Sequence, residues 1–318
     1  MKLLWLDLNS SYAHSSLALP ALHAQIADDT TIEWCIVSAT INENTGMVVS
    51  RIHKHRPDII AATNWLFNHE QLLHIISRAK ALLPHCCIVL GGPEFLGNNE
   101  AFLYKNKFVS GVFRGEGEEV FPQWLKVWNH SKETWKSITG LCYLDENGRY
   151  QDNGIARVMN FSQLVSPEKS CFFNWSKPFV QLETTRGCFN TCAFCVSGGE
   201  KPVRTIPLEA IRERLNDIHQ HGIKNVRVLD RTFNYNNKRA KELLDLFRQY
   251  PDICFHLEIH PALLSEELKQ ELSVLPKGLL HLEAGIQSLK ESVLQQSHRI
   301  GKLSDALEGL KYLCSLKN

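Results

Sequence analysis

The sequence contains no long hydrophobic run and carries almost no net charge. Its first residues, MKLLWLDLNS, have only four consecutive apolar positions, Leu3–Leu6, before Asp7, and a signal peptide needs a longer apolar core. No later run approaches the roughly 20 apolar residues that a membrane-spanning helix requires. The formal net charge of the 318 residues is +1, so charge gives no argument for a nucleic-acid or membrane partner.

The composition also argues against a small domain stapled by disulfides. The chain has ten cysteines, but 44% of its residues are hydrophobic and 22% are charged, as in ordinary globular proteins. Seven of the ten are scattered, with no second C-x2-C pair. Without a secretory signal, this cysteine usage predicts a reducing, cytoplasmic location. The length is sufficient for two domains, each with its own core.

Three cysteines stand apart from the rest because they are closely spaced. Cys188, Cys192 and Cys195 follow the pattern C-x3-C-x2-C, with Phe194 immediately before the third, and the β-forming run PFVQLETT precedes them. Three thiolates in one short loop can hold three corners of a 4Fe-4S cluster, which usually has four cysteine ligands. The fourth iron would then be open to a small molecule. Zinc remains an alternative, although structural zinc sites are almost always closed by four ligands.

This motif, emerging from a strand, resembles the signature of radical S-adenosylmethionine (SAM) enzymes. The segment LEAGIQS at 282–288 resembles the fourth-strand segment of the same family. The resemblance implies a 4Fe-4S cluster whose open iron binds the amino and carboxylate groups of SAM. It also implies that an electron from a low-potential donor, such as flavodoxin or ferredoxin, cleaves SAM to a 5′-deoxyadenosyl radical. The substrate is not identified, and no catalytic side chain is assigned beyond the cluster ligands.

Residues 1–135 alternate between strand-like and helix-like runs, which predicts an α/β domain with a doubly wound, Rossmann-like parallel sheet. Ligands of such sheets bind beyond the carboxyl ends of the strands. Glycines there allow close backbone approach to a ligand or form tight turns. The candidate ligand-binding residues at these ends are Asn9, Thr63, Asn64, Gly91, Gly92 and Glu116.

This layout resembles the cobalamin-binding domain that precedes the radical SAM domain in one large subgroup, and the segments VLGGPEF and RGEGEEVF are typical of it. The resemblance implies that the six candidates surround cobalamin. Cobalamin domains that bind the metal through a histidine carry D-x-H-x-x-G just after the first strand, and this motif is absent there. It occurs as Asp217–Gly222, where a helix is expected to end, and this match is interpreted as accidental. Cobalamin would therefore bind without a protein histidine on the metal, and His14 is predicted to be an ordinary loop residue.

Residues 136–175 interrupt the alternation and are predicted to form a hairpin and a linker. ITGLCYLDENGRYQ (138–151) has Asn147-Gly148 at its centre, a pair that favours a tight hairpin turn. The stretch through Ser166-Pro167 is interpreted as the connection between two domains.

Residues 176–318 form a second strand–helix series, which predicts four βα units of a barrel-like sheet. By resemblance, a radical SAM barrel has about six units, so this domain would be an incomplete partial barrel whose fourth strand is an edge. The family's GGE after strand two is absent, and Asp230 is predicted to replace its carboxylate; Gly198-Gly199-Glu200 lies too early in the chain. The resemblance implies that SAM is surrounded by Phe194, Asp230, Glu258, Glu283, Gln287 and Ser288. Alternatively, the charged residues among them are solvated strand ends.

The sequence therefore predicts a radical SAM enzyme that cleaves SAM reductively, with cobalamin-dependent methyl transfer as one outcome. Two alternatives remain open. One is a radical SAM enzyme without bound cobalamin, and the other is a degenerate, non-catalytic iron–sulfur or zinc-binding protein.

Overall fold

The computed structural model of the protein describes residues 1–13, 16–197 and 200–316. They form two compact units, Met1–Phe173 and Asn174–Asn318, which we call the N-terminal unit and the C-terminal unit. The predictions for His14 and for Gly198 and Gly199 fall outside the described residues. Within the described ranges, no helix is long and apolar enough to cross a membrane.

The N-terminal unit is built on one seven-stranded sheet. Its strands are β1 (Lys2–Asn9), β2 (Glu33–Thr40), β3 (Ile59–Thr63), β4 (Cys87–Gly91), β5 (Gly111–Phe113), β6 (Leu141–Leu144) and β7 (Tyr150–Asp152). The order is β2-β1-β3-β4-β5-β6-β7, and the first five strands run parallel. The helices are α1 (Ala18–Ala24), α2 (Thr45–His55), α3 (His69–Leu82), α4 (Glu100–Lys105) and α5 (Val120–Leu125). The predicted doubly wound sheet is confirmed, whereas the short helix α4 was not predicted.

Side chains of β1 enter two separate cores on opposite faces of this sheet. Leu4 packs in the same cluster as Ile52 of α2 and Ile75 of α3, whereas Leu3 lies in the cluster of Trp124 of α5. Successive strand residues point to opposite faces, so a strand with helices on both sides has an almost continuous apolar sequence. This explains the run KLLWLDL at the start of the chain.

The predicted hairpin forms, but it belongs to the first sheet rather than to a connection between domains. β6 pairs antiparallel with β5, for example Val112 with Cys142, and β7 pairs antiparallel with β6. The turn contains Gly148 with a φ of +73°. Leu141, Cys142 and Tyr143 are all fully buried, because β6 is an interior strand. A run of only four residues does not reveal this burial in the sequence.

The C-terminal unit contains a parallel sheet whose neighbours follow chain order. Its strands are β8 (Val180–Leu182), β9 (Thr185–Arg186), β10 (Arg204–Thr205), β11 (Asn225–Val228), β12 (Cys254–Ile259) and β13 (Leu280–Ala284). β8, β11, β12 and β13 pair in this order, while β9 and β10 form a separate antiparallel pair. The helices are α6 (Leu208–Gln220), α7 (Asn237–Phe247), α8 (Glu266–Ser273), α9 (Glu291–Gln296) and α10 (Leu303–Ser315). The four βα units are confirmed, and among the described residues β13 has a neighbour on one side only.

The two faces of this parallel sheet differ in polarity. One face packs under the helices, as when Phe247 of α7 stacks on Phe255 of β12 with ring centroids 4.1 Å apart. The other carries Arg227, His256 and Glu258, which are only partly buried. A parallel sheet is ordinarily apolar on both faces, so this polar face is a candidate binding surface.

Candidate functional site

The three clustered cysteines lie in the connection between β9 and β10. Cys188 and Cys192 are buried, whereas Cys195 is exposed, and all three are free thiols. The backbone N–H of Cys195 donates to the carbonyl oxygen of Cys192 at 3.1 Å, which closes a tight turn. One short loop therefore carries three soft donor atoms.

Gly187 fixes the start of this loop. Its φ is +94°, and a Cβ atom there would lie 2.5 Å from the carbonyl oxygen of Glu200. The same carbonyl accepts the backbone N–H of Cys188 at 2.9 Å. Only glycine tolerates both the positive φ and the close approach, so the Arg-Gly-Cys sequence joins the two ends of the loop.

The electrostatic surroundings of Cys188 favour a thiol until a cation binds. Burial raises the pKa of Cys188, and the neighbouring Cys195 and Cys192 raise it further. A hydrogen bond from the Asn190 backbone and the positive charge of Arg231 lower that pKa. Since thiolates rather than thiols bind metals, a metal group would supply the charge that holds three thiolates together.

The donor set fits an iron–sulfur cluster. Within residues 1–13, 16–197 and 200–316, no three His, Cys, Asp or Glu side chains are grouped closely enough to hold a single metal ion. Ligands of a cluster bind separate irons, so the cysteines need not converge on one point. Soft thiolates also match the metal preference of iron–sulfur clusters. Cys188, Cys192 and Cys195 are the residues that would hold it.

Asp230, predicted to contact SAM, lies inside the protein instead. It is 1% exposed, and its Oδ1 accepts the backbone N–H groups of Thr184 at 2.8 Å and Thr185 at 2.9 Å. Its Oδ2 accepts the Thr184 hydroxyl. Burial raises the pKa of Asp230, and these hydrogen bonds lower it. Contact between Asp230 and SAM stays a prediction, and the three hydrogen bonds support a role in positioning the strand that leads into the cysteine loop.

Replacing Asp230 by alanine should lower the free energy of unfolding by about 3 kcal/mol, because two buried N–H groups and a hydroxyl lose their acceptor. Urea denaturation of the cluster-free protein measures this change. Asp252→Ala is the control, since its carboxylate is 66% exposed and lies 3.8 Å from Lys224, and it should change stability by less than about 0.5 kcal/mol. Equal effects of the two substitutions would contradict the assigned role.

Glu258 and Glu283, two further predicted SAM-binding residues, are brought together on the polar face. They are register partners on β12 and β13. Arg227 Nη2 lies 3.6 Å from Glu258 Oε1 and 3.8 Å from Glu283 Oε2, and His256 Nε2 lies 3.0 Å from Glu283 Oε2. Arg227 was not predicted as a site residue, although a charged residue between the apolar Val226 and Val228 of a strand is a usable signal in the sequence.

The other predicted SAM-binding residues lie in loops. Gln287, with a φ of +73°, and Ser288 are in the turn between β13 and α9, where the Ser288 hydroxyl accepts the Lys290 backbone N–H at 3.1 Å. Phe194 lies in the cysteine loop and is 59% exposed. Contact between these three residues and SAM stays a prediction.

His260 follows β12 and is buried without a normal hydrogen bond to either ring nitrogen. Burial lowers its pKa to about 4; Arg299 contributes in the same direction, and the Ile300 backbone oxygen opposes it. The folded chain therefore keeps the ring neutral at pH values where the unfolded chain protonates it.

This difference predicts a pH-dependent loss of stability. Because the unfolded state binds the proton first, the free energy of unfolding should fall as the pH decreases from about 6.5 to about 4. The His260 contribution to the loss is roughly 3 kcal/mol, at 1.4 kcal/mol per pKa unit. His260→Phe should remove that part of the decline in urea titrations across this range. His219→Gln, at an exposed histidine of α6, should leave it unchanged; a decline of equal size in His260→Phe would contradict the assignment.

In the N-terminal unit, the ends of β3 and β4 come together as predicted for a ligand edge. Thr63 pairs with Gly91, and the Asn64 backbone N–H donates to the Gly91 oxygen at 2.7 Å. Gly92 has a φ of +111°, and a Cβ atom there would lie 2.5 Å from the Asn64 oxygen. Four of the six candidate residues therefore lie side by side at this edge of the sheet, namely Thr63, Asn64, Gly91 and Gly92.

Two features of this edge fit a large amphipathic ligand. Asn64 is fully buried, and its Oδ1 has no hydrogen-bond partner, although Nδ2 lies 3.0 Å from His69 Nδ1. Tyr12 follows β1 and Leu66 follows β3, and they are 84% and 82% exposed. Exposed side chains after two neighbouring strands, together with an acceptor that has no partner, fit a ligand-binding edge. Tyr12 and Leu66 were not predicted as ligand-binding residues from the sequence.

The remaining two candidates make contacts within the N-terminal unit. The Asn9 amide donates to Asp7 Oδ2 at 2.7 Å, and Glu116 Oε2 accepts the Val158 backbone N–H at 2.6 Å. A role of Asn9 and Glu116 in binding cobalamin stays a prediction.

The sequence match to D-x-H-x-x-G is a helix end, as interpreted. Asp217 and His219 belong to the last turns of α6, and Gly222 follows with a φ of +70°. His221 Nδ1 lies 2.8 Å from the Asp217 carbonyl oxygen, and its ring stacks on Trp175 at 3.7 Å. Helix termination and these contacts explain the residues of this match, with no need for a cofactor-binding role.

Comparison with known proteins assigns both units. A family model described as the radical SAM superfamily matches residues 182–317, and one described as a B12 binding domain matches residues 8–125. An uncharacterized methyltransferase of Pyrococcus horikoshii is 29% identical over 201 residues, which are 60% of this chain and 43% of that protein.

Solved structures show the same fold. The cobalamin-dependent SAM radical enzyme OxsB, determined with aqua-cobalamin and SAM, matches with a TM-score of 0.80 and 17% identity over 99% of this chain and 48% of that chain. The radical SAM methyltransferase TsrM from Kitasatospora setae, determined with cobalamin and a 4Fe-4S cluster, matches with a TM-score of 0.76 and 15% identity over 99% of this chain and 67% of that chain.

The fold and the cysteine loop define a two-domain protein with a Rossmann-like unit ahead of a partial (βα) barrel. Residues 182–317 match a radical SAM domain and residues 8–125 match a B12-binding domain. These matches support the predicted cofactors, SAM with a 4Fe-4S cluster and cobalamin.

Proposed function

We propose that this chain is the cofactor-binding part of a cobalamin-dependent radical SAM methyltransferase. The observation that carries the proposal is the loop of Cys188, Cys192 and Cys195 at the start of a parallel βα sheet, within a chain that also has a B12-binding domain. The chain spans less than half of the Pyrococcus methyltransferase and of OxsB, so the activity is proposed for the protein as a whole.

The cysteine loop would hold the cluster with one iron open. When bound, the cluster supplies the electron that cleaves SAM, and cobalamin supplies the methyl group that is transferred. Asp230 would hold Thr184 and Thr185 ahead of the loop, and Gly187 leaves room for the bond from the Cys188 N–H to the Glu200 oxygen that joins the two ends of the loop. The polar face near Glu258 and Glu283 offers hydrogen-bond acceptors to the ribose and amino groups of SAM.

Cobalamin would lie on the edge formed by Thr63, Asn64, Gly91 and Gly92. The positive φ of Gly92 lets the backbone approach the ligand closely. Tyr12 and Leu66 would cover apolar parts of the corrin ring, and Asn64 Oδ1 would accept a hydrogen bond from one of its amide groups. We propose a cytoplasmic protein that takes electrons from a flavodoxin or ferredoxin.

Anaerobic purification followed by reconstitution with iron and sulfide tests this function. With a low-potential reductant and SAM, the chain should release 5′-deoxyadenosine, and the purified protein should show corrinoid absorption. Release of 5′-deoxyadenosine without corrinoid binding would favour a radical SAM enzyme that lacks cobalamin. An assembled cluster with no SAM cleavage would favour a non-catalytic iron–sulfur protein and overturn the proposal for this chain.

A further inference from the structure

The segment Ser297–Gly301, which we call the strap, is bonded to the middle of the cysteine loop. The Ala193 backbone N–H donates to the Ser297 oxygen at 3.0 Å. The Ile300 N–H donates to Asn190 Oδ1 at 3.1 Å, across 110 residues of sequence. Asn190 is 4% and Ile300 45% exposed, so this bond is partly shielded from water. The two bonds lie on either side of Cys192 in the sequence and fix its backbone.

The same strap also contacts the ends of two strands of the parallel sheet. Arg299 Nη2 donates to the carbonyl oxygen of Gly285, directly after β13, at 2.6 Å. A Cβ atom on Gly301 would lie 2.8 Å from Ala262 and 3.4 Å from the His260 ring, both of which follow β12. The strap thus joins the cysteine loop to the edge where SAM-binding residues are predicted.

The backbone of the strap has a defined conformation. His298 has a φ of +56° and Gly301 a φ of +100°. The Arg299 N–H donates to the Leu294 oxygen and the His298 N–H to the Gln295 oxygen, both at 3.0 Å. This pattern is a Schellman-type helix end, which makes the strap a rigid continuation of α9.

We propose that the strap is a positioning element that sets the cysteine loop relative to the ends of β12 and β13, and that Asn190 and Arg299 are its positioning residues. The functional part of this inference is that the strap positions the cluster relative to SAM. It rests on the proposed function, in which the loop would hold the cluster and the strand ends would bind SAM. The positional part concerns the loop alone and can be tested without a cluster.

The positional test measures alkylation of Cys192 by iodoacetamide in the cluster-free protein, followed by peptide mass spectrometry. Asn190→Leu should raise the alkylation rate about tenfold, because the loop loses its hydrogen bond to the Ile300 N–H. A tenfold change corresponds to 1.4 kcal/mol. Arg299→Met should raise it in the same direction. Asn190→Asp keeps an acceptor oxygen for the Ile300 N–H and should restore the slow rate.

Tyr250→Phe is the control for general destabilisation. It removes a part-buried hydroxyl that bonds to the Asn216 side chain on α6 at 2.7 Å rather than to the cysteine loop or the strap. It should lower the melting temperature without changing alkylation of Cys192. Equal alkylation rates in wild type and Asn190→Leu, or the same increase in Tyr250→Phe, would overturn the proposal.

The functional test compares electron paramagnetic resonance spectra of reconstituted, reduced protein with and without SAM. The concentration of SAM that produces half of the spectral change should rise about tenfold in Asn190→Leu and remain near wild type in Asn190→Asp and Tyr250→Phe. An unchanged concentration in Asn190→Leu would overturn the functional part. A wild-type spectrum that SAM does not alter would instead count against the proposed function, while the alkylation result would still decide the position of the loop.

Discussion

Cys192→Ala should reduce formation of 5′-deoxyadenosine by about 100-fold or more in reconstituted protein. Cys192 is the central cysteine of the loop, it is buried, and its backbone is held by neighbours on both sides. Loss of a ligand should exceed the 10- to 100-fold effect typical of an outer-shell substitution. Quantifying iron, sulfide and 5′-deoxyadenosine in the same preparation separates loss of the cluster from loss of turnover.

Cys314→Ala provides the matched control. Cys314 is an exposed cysteine of α10, outside the C-x3-C-x2-C motif, and its substitution should change neither iron content nor SAM cleavage. If Cys192→Ala kept full iron content and activity, the cysteine loop would not be the cluster site. If Cys314→Ala lost both, exposed cysteines would also be contributing to the bound iron.

Gly92→Ala should weaken cobalamin binding by at least about tenfold, equivalent to 1.4 kcal/mol, and should destabilise the N-terminal unit by about 1–3 kcal/mol. The added Cβ atom would lie 2.5 Å from the Asn64 oxygen, at a residue with a φ of +111°. The backbone must therefore shift at the edge that is proposed to face the corrin ring. Titration with hydroxocobalamin, followed by visible absorption, measures the affinity.

Gly97→Ala is a control of the same chemical kind, five residues further along the chain. A Cβ atom on Gly97 would have no neighbour within 4 Å, and its φ is not in the left-handed region. The Gly97→Ala variant should bind cobalamin with the affinity of the wild type. Wild-type affinity in Gly92→Ala would place the cofactor elsewhere.

Much of the N-terminal fold was predictable because its signals are local. β1 (Lys2–Asn9) is buried on two faces, so it stands out in the sequence as a mostly apolar stretch. The three cysteines were found in the same way, from spacing within eight positions. The start of α8 also has a local signal, because Ser265 precedes it and its hydroxyl accepts the Leu268 N–H at 3.2 Å.

The parts that were missed depend on contacts between distant residues. Nothing in the sequence near Asp230 shows that its carboxylate binds Thr184 and Thr185, 46 and 45 positions earlier. A terminal acidic residue on a strand looks the same whether it faces solvent or the interior. The bond between Asn190 and Ile300 was equally unpredictable, because the sequence around Asn190 does not show which distant residue its side chain bonds to.

The hairpin shows a third kind of limit. Its turn was predicted from Asn147-Gly148, and the strands formed where expected. The sequence does not indicate that β5 pairs with this hairpin, because no residue pattern links Val112 to its register partner Cys142. Short buried strands have too few residues for periodicity to indicate a neighbour.

The order of strands in the C-terminal sheet has a consequence for how the unit folds. β11 pairs with β12 and β12 with β13, so each of these pairs closes one connection, such as that between Ile259 and Leu280, whereas β8 pairs with β11 across β9 and β10. In the N-terminal sheet, β1 pairs with β3 across the whole of β2. Closing shorter loops costs less conformational entropy and favours faster folding. The C-terminal sheet can therefore assemble one βα unit at a time, each new strand adding to the free edge without changing the register of those already in place.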